Sequence, residues 1–189
     1  MKIIVIEGNT KGEANKELQF KLMADSTILA NDKPFFLPDF APEFKMHAAI
    51  AVRIGRLGKN IATRFAHRYY NSVAACAVVT PAGLPADCNA LDCLYTAFDG
   101  ALMLGLRHYK EETETVEAFV DEKEAGTAST ANMQNGIDNL VALASQYFTL
   151  KMGDMLIVGS DQNAGYTLKI DDHLMATLNG KESLKIRIK

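Results

Sequence analysis

The chain alternates between apolar runs and polar breaks, and those runs predict mostly strands. Residues 2–7, KIIVIE, are β-branched and apolar, the composition of a buried strand, and Gly8-Asn9 closes it. Residues 13–24 have a helix-compatible composition with weak periodicity. Asn31-Asp32 ahead of Lys33-Pro34 predicts a turn, and Phe35 to Leu37 a short strand stopped by Pro38. The run AAIAVRIGR over 48–56 predicts a central strand, and AACAVVT over 74–80 a second buried one, stopped by Pro81. Between them, Ile61, Phe65, Tyr69 and Val73 recur every fourth residue, which predicts a short amphipathic helix over 61–73.

Beyond a polar loop that begins at Gly83, residues 100–107 read as a strand or core segment. Residues 115–121 alternate between apolar and polar, which predicts a half-exposed strand, and the small polar residues of 122–135 predict a loop. Residues 137–148 place Ile137, Leu140, Val141, Ala144, Tyr147 and Phe148 on one helical face. A strand follows at 155–158, and strands at 173–178 and 184–188 are joined by Asn179-Gly180, a favoured hairpin turn. Strands outnumber helices and do not alternate regularly with them. The expectation is therefore a β-rich α+β fold rather than a doubly wound sheet.

Composition narrows this picture only a little. At 189 residues the chain fits one domain and can bury roughly 70% of its unfolded surface. A net charge of -3 gives no footprint for nucleic acid. The basic residues Arg53, Arg56, Lys59, Arg64 and Arg68 cluster in sequence and read as a solvated or salt-bridged surface. No apolar run is long enough to span a bilayer, so neither a membrane nor nucleic acid is expected as a partner, and cytoplasmic residence is the default. Cys76, Cys88 and Cys93 are odd in number and lack zinc-type spacing, so they read as small buried or half-buried hydrophobes.

Several segments, in order, resemble the fumarylacetoacetate hydrolase family. MKIIVIEGN resembles its opening strand, and Asp25-Ser26-Thr27 its K-P-D-[ST] turn. Residues 50–61, IAVRIGRLGKNI, are similar to E-x-E-L-x-V-x-I-G-x-x-G-x-x-I. Phe98-Asp99-Gly100 resembles [KS]-x-F-D, and FTLKMGDMLIVG over 148–159 resembles F-T-L-x-x-G-D-x-I-x-T-G. The resemblance implies a mixed β-sandwich roll with a few short helices, spanning 1–189 as a single domain. Residues 1–32 would be a shortened N-terminal segment packed on the roll. It also implies homodimers and action on 2-keto or acylpyruvate-type acids by C–C hydrolysis, isomerisation or decarboxylation. There a Mg²⁺ or Ca²⁺ ion stabilises an enolate, and a His commonly serves as base.

The family's functional residues carry over poorly. The two glutamates of E-x-E fall on His47 and Ala49, and the metal-binding Asp on Val78. The substrate-fixing Arg falls near Ala82, the lysines on Met23 and Thr96, and the catalytic His on Glu13 or Ala14. The Thr of a terminal G-T-P falls on Ser160, followed by Asp161 where the family has proline. A hard divalent cation needs several anionic oxygens, which an alanine and a valine cannot supply.

The expectation is a family protein without the metal-dependent activity: no catalytic residue, no metal ligand and no cofactor. Its ligand-pocket candidates are His47, Asp99, Ser160 and Asp161. It would bind a small-molecule carboxylate, or pair as a homodimer or as a heterodimer with an active paralogue. The alternative is a divergent enzyme for a 2-keto or acylpyruvate-type acid, with Mg²⁺ or Ca²⁺ and a relocated site. Two bland readings stand beside these. His47 would be a strand-end histidine making ordinary hydrogen bonds, although Asp39 and Glu43 lie close as conceivable co-ligands, and Asp99 would serve its own turn. His67 reads as a packing or capping residue, and His173 as part of a solvated turn with Asp171-Asp172.

Overall fold

A computed structural model describes residues 1–11, 17–85, 91–160 and 165–189. In chain order the strands are β1 (Ile3–Glu7), β2 (Gln19–Met23), β3 (Ile28–Ala30), β4 (Glu43–Ile54), β5 (Tyr70–Ala82), β6 (Leu102–Leu104) and β7 (His108–Tyr109). They continue with β8 (Thr115–Val120), β9 (Lys123–Ser129), β10 (Met155–Val158), β11 (Tyr166–Thr167), β12 (His173–Leu178) and β13 (Lys181–Arg187). The helices are α1 (Thr63–Ala66), α2 (Leu91–Thr96) and α3 (Ile137–Tyr147). The result is the β-rich α+β fold that the patterning predicts.

Among the described residues nine strands form one sheet, with the path β2-β1-β10-β4-β5-β6-β3, β11 beside β4 and β7 beside β5. Four more form a second sheet in the order β13-β12-β8-β9. The pairs β1–β10 and β3–β6 are parallel and the other pairs antiparallel. Strands β1, β2 and β3, all within the first 32 residues, are members of the large sheet.

The spine is the long pair β4–β5. Its near-continuous apolar sequence fits a strand pair buried on both faces. Met46, Ala48, Ile50 and Val52 of β4, with Val73, Ala75, Ala77 and Val79 of β5, point into a main core shared with α3 and the small sheet. Alternate residues point the other way. Ala49, Ala51, Ala74, Cys76 and Val78 join Ile3, Val5, Met23, Met155 and Ile157 in a second apolar layer on the outer face of the large sheet. The small sheet is buried on one face only. Val116, Ala118, Leu174, Ala176, Leu184 and Ile186 alternate inward, and charged or polar residues alternate outward.

The structure departs from the sequence expectations in a few segments. Of the helix predicted over 61–73 only Thr63–Ala66 is helical, because β5 begins at Tyr70, which pairs with Ile54. One turn of helix adds little by itself, so strand pairing decides the segment. Gln19–Met23 is a strand, because β1 offers it an apolar edge from Ile3 to Glu7. Lys123–Ser129 is also a strand, not a loop. As an edge strand it needs few apolar residues, and Asp121-Glu122 takes the left-handed φ values, 48° and 67°, that a tight hairpin requires. Phe35 forms a single bridge to Ile188 where a short strand was expected. Asn179 and Gly180 do adopt left-handed φ, 52° and 75°, as a two-residue hairpin turn demands.

The FTLKMGD stretch is structural. It is the turn between α3 and β10, and its Asp154 is almost wholly buried. One carboxylate oxygen accepts the Lys2 backbone N–H at 2.7 Å and the other accepts from Lys151 N at 2.8 Å and pairs with Lys2 Nζ at 2.7 Å. Burial alone would raise the Asp154 pKa. The Lys2 and Lys151 hydrogen bonds and the Lys2 charge outweigh that and hold it below the usual carboxylate range.

Candidate functional site

The positions that matter most lie on β4 and β5, and the register between those strands locates them. His47 pairs directly with Val78, and Ala49 with Cys76. Cross-strand partners carry their Cβ atoms about 5 Å apart, and residues two apart share a face. His47, Ala49 and Val78 are therefore one contiguous triad on the outer face of the large sheet. The triad is dry: Ala49 is 0% exposed, and His47 and Val78 are each 3% exposed.

His47 is the fifth residue of a 12-residue strand, so it sits inside β4, not at its end. Its Nε2 shares a 3.1 Å hydrogen bond with the Thr80 hydroxyl. Gly165 presses on the ring: a Cβ there would lie 2.5 Å from Cε1, so only glycine lets the chain pass. Strand β11 then pairs back onto Met46 and Lys45. Thr80 and Gly165 are the neighbours that sequence reasoning missed. Thr80 lies two residues beyond Val78 on the same face, so the alternation along β5 carried a signal for it, whereas nothing local marked Gly165.

The other candidates distribute unevenly. Ser160 is buried, at 7% exposure, just beyond β10. Val158 pairs antiparallel with Ile50, which directs the chain along β4 toward His47. Asp99 is exposed, on the turn between α2 and β6. Its neighbours on that turn are structural: Phe98 packs on Phe40 and Phe44, and Gly100 has φ 84° against Phe35. Asp161 lies outside the described residues, as do Glu13, Ala14 and Cys88.

The positions assigned to the family's lysines are Met23 and Thr96. Met23 belongs to the outer apolar layer. Thr96, on α2, lines an open recess of about 320 Å³ with Lys21, Leu22 and Tyr95.

The donor set does not suit a hard cation. Two of the three triad positions are hydrocarbon and the third is an imidazole. Among the described residues no group of three His, Cys, Asp or Glu side chains could hold a metal ion. Cys76 is buried beside the triad, and burial pushes its thiol pKa up, away from thiolate chemistry. Cys93 on α2 is exposed, which corrects the expectation that it is buried or half-buried. His67 is the C-cap of α1, and exposed His173 sits 3.4 Å from Asp121.

This frame is shared with solved structures. The fumarylpyruvate hydrolase from Pseudomonas aeruginosa, in complex with Mn²⁺ and pyruvate, superposes with a TM-score of 0.88 at 13% identity, over 100% of this chain and 89% of that one. The 5-carboxymethyl-2-hydroxymuconate delta-isomerase from Mycobacterium smegmatis gives 0.88 at 18% identity, over 99% and 78%. The 2-hydroxyhepta-2,4-diene-1,7-dioate isomerase from Mycobacterium marinum gives 0.83 at 18% identity, over 99% and 73%. No curated protein matches the chain in sequence. The model of the fumarylacetoacetate (FAA) hydrolase C-terminal domain matches residues 7–189. The chain belongs to the fumarylacetoacetate hydrolase family, and its fold is that family's mixed β-sandwich roll.

Proposed function

We propose that this chain is a family member without the metal-dependent hydrolase, isomerase or decarboxylase chemistry, and that it serves as a binding protein on the same frame. One observation supports this above all. Where the resemblance puts three carboxylates around a cation, His47, Ala49 and Val78 stand side by side, buried and continuous with a hydrocarbon layer. Enolate stabilisation in such a site relies on the charge of the ion. Without anionic oxygens to hold the ion, that charge is not supplied.

The ligand class that fits best is a small carboxylate of the 2-keto acid type. Pyruvate in the Pseudomonas aeruginosa relative supports this choice, as do the two buried polar side chains on this part of the frame, His47 inside β4 and Ser160 just beyond β10. Pairing as a homodimer, or with an active paralogue, is the accompanying expectation, and the protein is read as cytoplasmic.

Calorimetric titration with Mg²⁺, Mn²⁺ and Ca²⁺, beside turnover of an acylpyruvate and 2-keto acid panel, tests the reading. No specific cation binding and no turnover are expected. A micromolar cation site, or acylpyruvate cleavage that stops on adding EDTA, overturns it. Turnover abolished by His47→Ala but indifferent to EDTA would instead establish a divergent enzyme with a relocated site.

A further inference from the structure

The charge of this chain is segregated. It carries 23 acidic and 20 basic residues, yet residues 44–86 contain no Asp or Glu. Arg53, Arg56, Lys59, Arg64 and Arg68 all fall in that stretch. None of them makes an ion pair among the described residues, so the basic cluster is not salt-bridged.

Two chain segments bring this cluster to one end of the molecule. The loop after β4 runs antiparallel to the turn after α3. Gly58 and Leu150 exchange backbone hydrogen bonds at 2.8 and 2.9 Å, and Ile54 accepts from Gly153 N at 2.8 Å. Exposed Arg56 and Leu57 thereby lie beside exposed Lys151 and Met152. Leu57 is 64% exposed and Met152 is 78% exposed, so two apolar tips stand out within a cationic field. Those backbone bonds tether the base of the loop at both ends. Gly58 also packs closely there: a Cβ would lie 2.5 Å from the Tyr69 ring and 2.6 Å from the Ile61 side chain.

Cations around protruding apolar side chains fit an anionic lipid surface. The tips enter the interfacial region while Lys and Arg remain at the phosphates. Nucleic acid fits less well, because it prefers exposed aromatic faces on which bases stack. The aromatic ring in this cluster, Phe65, is covered by Arg64 at 4.7 Å and Arg68 at 5.1 Å. Among the described residues no helix is long and apolar enough to cross a membrane.

We propose that the 55–58 loop and the 151–153 turn form a docking tip for anionic phospholipid bilayers. Leu57 and Met152 insert, and Arg56 and Lys151 contact the headgroups. The net negative remainder of the chain orients the molecule with this end toward the surface.

Vesicle co-sedimentation of the whole chain tests this. Phosphatidylcholine vesicles are compared with vesicles about one third phosphatidylserine, at low and high salt. Binding is expected to the anionic vesicles alone and to weaken with salt. The pair Arg56→Gln and Lys151→Gln should lower partitioning by roughly twenty-five-fold, about fivefold per charge. The pair Leu57→Ser and Met152→Ser, at unchanged charge, should lower vesicle binding but not retention on heparin. All four residues are exposed, and circular dichroism confirms that each variant is folded. Absence of binding to the anionic vesicles at low salt overturns the proposal. So does full binding by the Leu57/Met152 variant, and so does single-stranded RNA bound more tightly than the vesicles.

Discussion

A single substitution probes whether the triad face is hydrocarbon or a masked polar site. In Ala49→Glu a carboxylate enters a position that is 0% exposed, opposite Cys76 and flanked on its face by His47 and Ala51. Overpacking of that layer costs about 1–3 kcal/mol. Burying a carboxyl without a compensating partner adds about 1–3 kcal/mol. The total, about 2–6 kcal/mol, is a large part of the 5–15 kcal/mol typical of a domain. The pH dependence has a definite sign. Burial raises the folded-state pKa of the new carboxyl above its unfolded value, about 4.3, so the fold favours its protonated form. The deficit should be smallest below about pH 4 and should grow as pH rises from there toward the folded pKa. Urea unfolding followed by circular dichroism, at several pH values and with or without Mn²⁺, measures all three features. A deficit below about 1 kcal/mol, or one that Mn²⁺ closes, would mean that a polar, cation-ready pocket lies under Ala49 and would refute the reasoning.

Other perturbations test the supporting parts. Asp154→Ala removes a 2% exposed carboxylate from Lys2 and Lys151, and should cost about 3 kcal/mol, the low end for a buried pair because Lys2 is 31% exposed. In the unaltered chain the depressed Asp154 pKa gives stability that is fully present above the unfolded value, about 3.9. That stability is lost as pH falls through the folded pKa, and acid unfolding of the two proteins side by side should show the alanine variant lacking this component. Gly165→Ala drives a methyl into the His47 ring, so chemical denaturation should show a loss of about 1–3 kcal/mol, with a shift of the His47 imidazole resonances. Gly180→Ala places a side chain at φ 75° with open space around it, so the loss should come from backbone strain alone, about 1 kcal/mol by thermal unfolding.

Local patterns were legible where one principle dominated. The KIIVIE run, the 137–148 face and the Asn179-Gly180 turn each carried a signal complete within a few residues, and each formed as expected. The segment 61–73 misled because its fourfold spacing mixed two elements. Ile61 is buried in the main core ahead of α1, whereas Tyr69 and Val73 already serve β5 and the chain leading into it. Lys123–Ser129 was illegible because an edge strand with one buried alanine, Ala128, looks polar in sequence. In the site, motif resemblance pointed to His47, Ala49 and Val78, which the register sets side by side; alternation along β5 carried a signal for Thr80, and nothing local marked Gly165. Thr80 and Gly165 meet His47 only through strand pairing and chain return, which are properties of tertiary register.

Register also bears on whether the missing carboxylates reflect a slipped comparison. Moving β4 by one residue would exchange its faces, sending Met46, Ala48, Ile50 and Val52 outward and pulling His47, Ala49 and Ala51 into the main core. The large residues fill the thick inner core and the alanines fill the thin outer layer, so such a slip would leave cavities inside and clashes outside. Even that exchange would not supply an acid, since neither face of β4 carries one between Phe44 and Ile54. The outer layer is stable on its own chemistry. A cation site is stable only when its carboxylates are neutralised, whereas alanine, cysteine and valine bury there without a counter-charge. On the proposed function β4 holds against β5 without a metal, and chelators should leave the stability unchanged.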